Sequence, residues 1–237
     1  KNLWNGLLEH SKTTYQNFDK FPTKSTIAAM TKDSGLYSQV AQEIGFRVET
    51  GIWRYAKLRK SGNRKAGFPR FKSIDRMKSL HYPQSGFSLG KKLKVTPFGE
   101  IPIVQHREIR GKIKTLTLKK EASGKWFACF AAEETPTVRD SNGKPKIGID
   151  LGLKTLATLS DGNVIENPRH LKKYADNLAG LQRLLSRKKK GSHNRKKQKR
   201  KVALAYEKVA STRTDFLHKT TAKLVQSYSL IALEKLA

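Results

Sequence analysis

Apolar residues in the first sixty positions recur every three or four residues. Leu36, Val40, Ile44, Val48, Ile52, Tyr55 and Leu58 continue this spacing and predict one long amphipathic helix. Lys57, Arg59 and Lys60 suit the negative C-terminal end of its dipole, and Ser61-Gly62 stops it. Leu3, Leu7 and Leu8, extended by Tyr15 and Phe18, predict an earlier helix, and Pro22-Thr23 opens a short one carrying Ile27, Ala28 and Met30. Between 79 and 134 the period changes to two. Strands are expected at 79–82, 86–89, 93–96, 101–104, 113–119 and 125–131, punctuated by Gly86, Gly90, Pro97, Gly99, Gly111 and Gly124. Many short strands with turns at this spacing predict a compact β-barrel. After a Pro- and Gly-containing linker at 135–145, the order is strand, strand, strand, helix, helix, strand. Leu178, Leu181, Leu184 and Leu185 mark the first of those helices; Val202, Tyr206, Val209, Phe216, Leu217, Leu224 and Val225 mark the second.

Charge changes the picture from fold to partner. Lys and Arg number 49 against 19 acids, a formal net charge of +30. Self-repulsion of that size destabilises a compact chain unless a polyanion neutralises it, and nucleic acid is the leading candidate, ahead of an anionic membrane surface. No run of about 18 apolar residues is present, so no helix is expected to span a bilayer, and no signal peptide is visible; with a single cysteine, a reducing, cytoplasmic (intracellular) setting is expected. The one cysteine, Cys129, rules out an internal disulfide framework or a multi-cysteine zinc site within this stretch. In 126–130 it reads as a small core residue.

Two carboxylates stand at the ends of apolar runs. Ile147-Gly148-Ile149 delivers Asp150, with Gly152 beyond it forming a tight turn into the next strand; Leu230-Ile231-Ala232-Leu233 delivers Glu234. Hard carboxylate oxygens in a basic chain suit Mg²⁺ and phosphodiester chemistry. The plainer readings are Asp150 as a turn former and Glu234 as an exposed acid paired with Lys235. Asp161, in Ser160-Asp161-Gly162, reads as a turn residue. Three antiparallel strands, helices, and a strand returning beside the first form the RNase H-like order, which brings Asp150 and Glu234 together. A phosphate loop of the sugar-kinase type is the rival reading of Gly148 and Gly152. It lacks the small hydroxyl residues that usually follow, since Leu153-Lys154 stands there.

Three stretches together resemble the TnpB family, transposon-encoded RNA-guided DNA nucleases related to type V CRISPR effectors. They are 147–162 ("GIDLGLK…LATLSDG"), Gly67-Phe68-Pro69-Arg70-Phe71-Lys72, and 230–236 ("IALEKL"). The resemblance implies an α+β multidomain protein: a helical recognition region at 1–60, a basic turn plus small wedge-type β-barrel at 61–140, and a partial RNase H-like (RuvC) α/β domain at 144–237. Asp150 and Glu234 carry over as catalytic ligands of Mg²⁺ in a two-metal type site. The family's opening barrel strand and initiator Met are not in this stretch. Its third RuvC acid and four-cysteine hairpin, with structural Zn²⁺, are expected only beyond Ala237. The implied partners are a noncoding, transposon-end-derived guide RNA and double-stranded target DNA with a short motif beside the target. The implied activity is Mg-dependent hydrolysis of DNA paired to that guide. The alternatives are a catalytically inactive RNA-guided DNA-binding protein on the same scaffold and a plain RNA-binding protein.

Two basic tracts are the expected nucleic-acid contacts. Stretch 187–201 holds ten lysines and arginines and no acid; Arg187, Lys188, Lys189, Lys190, Arg195, Lys196, Lys197, Lys199, Arg200 and Lys201 are read as the tip of a helix hairpin reaching for phosphates. A self-repelling disordered segment is the plainer reading. The second tract supplies Arg64, Lys65, Arg70, Lys72, Arg76 and Lys78, with Tyr82 able to stack on exposed bases. Phe68 and Phe71 within it read as core residues, and Trp4, Trp53 and Trp126 are assigned to packing. The histidines show no metal-ligand spacing; His170, His193 and His218 are expected to be solvated or phosphate-facing.

Overall fold

The computed structural model describes residues 1–135 and 143–234, which fall into two compact units. The first comprises Lys1–Glu121 and Lys125–Thr135; the second comprises Ala122–Gly124 and the described residues from 143 to 234.

The first unit begins with three helices, α1 (Asn2–Phe18), α2 (Lys24–Lys32) and α3 (Ser38–Lys60). Thr23 caps α2, its hydroxyl accepting from the Thr26 amide at 3.2 Å. Trp4, Leu7 and Leu8 of α1, Ile27 of α2, and Val48 and Ile52 of α3 form one core. α2 and α3 approach closely at Gly45, where a Cβ would sit 2.8 Å from the Thr31 methyl. Phe68 joins this core through Phe21 and Tyr55, with ring centroids 6.2 and 5.4 Å away.

Six strands follow: β1 (Ser79–Tyr82), β2 (Phe87–Leu89), β3 (Leu93–Val95), β4 (Gly99–Ile101), β5 (Lys112–Lys120) and β6 (Trp126–Glu133). They form two three-stranded antiparallel sheets, β1-β5-β6 and β2-β3-β4, and no closed barrel among the described residues. The expected strand at 101–104 ends at Ile101, because Pro102 has no amide to extend the ladder. The two sheets and α3 share a second core of Val40, Tyr82, Leu93, Val95 and Leu116. Gly86 (φ +87°) closes the turn before β2; a Cβ there would lie 2.3 Å from the Tyr37 ring.

In the second unit β7 (Lys146–Leu151), β8 (Thr155–Leu159) and β9 (Val164–Glu166) form an antiparallel meander. Helices α4 (His170–Ser186) and α5 (His193–Ser227) follow, and β10 (Leu230–Leu233) then returns parallel to β7. The sheet order is β10-β7-β8-β9, so the last strand lies beside the first, as expected. Ile147, Ile149, Ala157 and Leu159 face Leu224 and Tyr228 from the end of α5. Among the described residues no helix is long and apolar enough to cross a membrane.

Candidate functional site

β7 and β10 run in register, with Leu230 beside Lys146 and Leu233 beside Ile149. Asp150 and Glu234 follow directly, each one residue beyond the Ile149–Leu233 pair. Parallel in-register neighbours project to the same side, so the alternation that buries Ile147 and Ile149 puts both acids on the opposite face. They line one open groove of about 450 Å³ with Gly148, Thr158, Ser160 and Ala232. Its floor is made of small side chains, which leaves room above the sheet.

The register has identifiable causes. The Ser229 amide donates to the Pro145 carbonyl at 3.0 Å, and its hydroxyl donates to the Lys144 carbonyl at 2.8 Å. These bonds clamp the entry of β10 to the entry of β7. Just before them, Tyr228 donates to the Asp161 carboxylate at 2.8 Å. Asp161 also accepts from the Asn163 amide, and these partners hold its carboxyl below the ordinary carboxylate range, the Asn163 amide first. It is the turn residue that the sequence suggested. On the other side of Asp150, Gly152 turns the chain so tightly that a Cβ would lie 3.0 Å from the Thr155 carbonyl.

Asp150 and Glu234 are exposed and make no hydrogen bond or ion pair among the described residues. Two hard-oxygen donors with free lone pairs fit a divalent cation such as Mg²⁺. No group of three metal-capable side chains occurs among the described residues. Lys235, the plainer partner for Glu234, lies outside them.

The basic stretch 187–201 comprises the short connection after α4 and the first residues of α5, from His193 onward. Ser192 caps α5, accepting from the Arg195 amide at 3.1 Å. Arg195 points inward, its guanidinium donating to the Leu185 and Lys188 carbonyls at 2.8 and 3.0 Å, the first at the end of α4 and the second in the turn after it. Gln198, buried between its charged neighbours, donates to the Leu181 carbonyl at 3.0 Å. Arg187, Lys188, Lys189, Lys190, Lys196, Lys197, Lys199, Arg200 and Lys201 are exposed, while Arg195 is half-buried and structural.

The second basic tract divides in the same way. Arg64, Lys65, Arg70, Arg76 and Lys78 are exposed. Lys72 is half-buried with its ammonium 3.3 Å from the Trp4 ring centroid, and burial pushes its pKa down, with Arg47 adding to the effect. Asn5 exchanges two hydrogen bonds with the Lys72 backbone, so this segment is strapped onto α1.

Several expectations need correction. Tyr82 is fully buried and its hydroxyl donates to the Thr96 carbonyl, so it is unavailable to a base. Cys129 is exposed on β6 rather than buried. Phe71 is exposed, as are Trp53 and Trp126; only Trp4 packs in a core. His170 packs against the Phe216 ring, at 5.7 Å between centroids, instead of facing solvent. The signal missed for Trp53 was its phase. It follows Ile52 and lies five residues, about 140° at 100° per residue, from Val48, the centre of the buried stripe.

Residues 129–237, which include both acids and the helix pair, match the OrfB_IS605 family, described as "Probable transposase". The chain is 34% identical over 176 residues to the "Putative RNA-guided DNA endonuclease InsQ" of Escherichia coli K12, covering 73% of this chain and 43% of the relative. It is 40% identical over 122 residues to a "Putative RNA-guided DNA endonuclease" of Streptomyces pristinaespiralis, covering 52% of this chain and 30% of the relative. The chain belongs to the TnpB family. In this TnpB chain the family match runs from within β6 through the unit that carries the paired acids. The first of these relatives is more than twice as long as the stretch aligned to it, since the chain spans 43% of its length.

Proposed function

We propose that this chain is part of an RNA-guided DNA endonuclease in which Asp150 and Glu234 hold Mg²⁺ at the scissile phosphate. The observation that carries the reading is the pair of unpartnered carboxylates at adjacent ends of parallel strands, on one face and over one groove. Bound there, Mg²⁺ would supply Lewis acidity and an activated water for phosphodiester hydrolysis. Asp150 lies within β7 and Glu234 directly after β10, so the strand ladder beside them limits the reorganisation of both acids. Exposed cations at Arg64, Lys65, Arg70, Arg76 and Lys78, and at the α4–α5 turn, neutralise backbone phosphates of RNA and DNA without reading sequence. Sequence selection falls to base pairing with the guide.

The test is Asp150→Ala in the complete protein with its RNA, and Glu234→Gln beside it. Cleavage should be lost while guide and target binding stay near wild type, because the acids act on the reacting phosphate and not on docking. Robust cleavage by either variant would overturn the assignment. Wild-type protein that binds guide-matched DNA but never cuts it would favour a binding protein on this scaffold instead.

A further inference from the structure

The outward face of α3 has no role in the core or in the groove above. Val40, Val48 and Ile52 take the inner stripe. The opposite stripe presents Phe46 and Trp53, 56% and 60% exposed, which flank a groove of about 420 Å³ completed by Glu49, Thr50, Arg54 and Lys57. Neither ring makes an aromatic contact or hydrogen bond among the described residues, and Arg54 and Lys57 make no ion pair there. Two large rings held open beside unpaired cations are costly in a surface helix unless something covers them.

We propose that this face is a stacking platform for unpaired bases of single-stranded nucleic acid, Trp53 and Phe46 taking the base faces and Arg54 and Lys57 the phosphates. The proposal rests on the nucleic-acid reading above and extends it to a face outside both basic tracts. Charge decides the occupant. The groove offers two free cations against one half-buried acid, in a chain of net charge +30, so an anionic partner is favoured over a second copy of the chain. The rings decide its form, since unpaired bases expose the faces on which aromatics stack, whereas a duplex offers only edges.

Tryptophan fluorescence of the whole chain, titrated with oligouridylate and with its duplex with oligoadenylate, tests this. Oligouridylate should quench emission, and the quenching should disappear in Trp53→Leu, which keeps apolar area but loses the stacking face. Affinity for oligouridylate should fall by roughly 5- to 100-fold in Trp53→Leu and recover in Trp53→Phe. Arg54→Gln/Lys57→Gln should flatten the salt dependence without abolishing the quenching. Unchanged affinity in Trp53→Leu, equal loss on the duplex, or a wild-type dimer that the variant dissolves would each overturn the proposal. The first of these, with salt-dependent RNA binding intact, leaves the guide-binding reading standing. Failure to bind any nucleic acid removes both.

Discussion

The two units cover their sheets differently. In the first, Val48, Tyr82, Leu93, Val95 and Leu116 are completely buried, because helices and sheets supply cover to one another. In the second, the best-covered sheet residues, Ile147, Ile149, Ala157 and Leu159, keep 3–6% exposure and, among the described residues, receive side chains from the end of α5 on one face. The other face carries Asp150, Thr158, Ser160 and Glu234 and stays open. A carboxylate is reachable by a ligand only where packing stops, so the candidate chemistry falls on the half-covered unit.

That contrast breaks first at its cores. Leu8→Ala should cost near the top of about 2–5 kcal/mol, and Leu159→Ala near the bottom, in urea unfolding followed separately for each unit. Equal costs would mean that the second sheet is as tightly packed as the first core. Next comes the start of α5. Arg195→Gln removes two guanidinium hydrogen bonds, to the Leu185 and Lys188 carbonyls, and should destabilise by about 1–3 kcal/mol, whereas Lys196→Gln and Lys197→Gln should leave stability unchanged and each reduce the salt slope of RNA binding by about 0.7–0.9. A reversed pattern would return Arg195 to the phosphate-binding set.

Ser229→Ala sharpens the account of the open face. Losing the hydroxyl bond to Lys144 should cost about 0.5–1.5 kcal/mol, seen as faster amide exchange in β10 and in no strand of the first unit. The smallest effect concerns Asp161. Its folded-state carboxyl sits below the ordinary value, so its contribution is present above the unfolded carboxylate pKa and is lost as pH falls through the depressed folded one. Solvent screening keeps that contribution small. Asp161→Asn should therefore narrow the loss of thermal stability between neutral and acidic pH, and an unchanged acid profile would remove Asp161 from the turn's stabilisation.

Periodic burial was legible without coordinates. The α3 stripe, the Thr23-capped helix, the three-strand meander and the two helices before β10 all follow from spacings local enough to be written in consecutive residues. Net charge was legible as directly, because it is a sum that no fold alters. Individual side chains were harder to read. Tyr82 among cations and Cys129 in an apolar strand look alike in sequence, yet one is buried beneath β3 residues and α3 while the other lies on an exposed strand.

Only the tertiary structure could choose among such cases, since burial depends on which distant segment arrives to cover a face. It opened the expected barrel into two sheets, turned Arg195 inward and left Trp53 outside. It also set the parallel register that places Glu234 beside Asp150. In the sequence those acids are two strand ends with two helices between them. What joins them is the Ser229 clamp and the short β10–β7 ladder, long-range hydrogen bonds whose register no local pattern specifies.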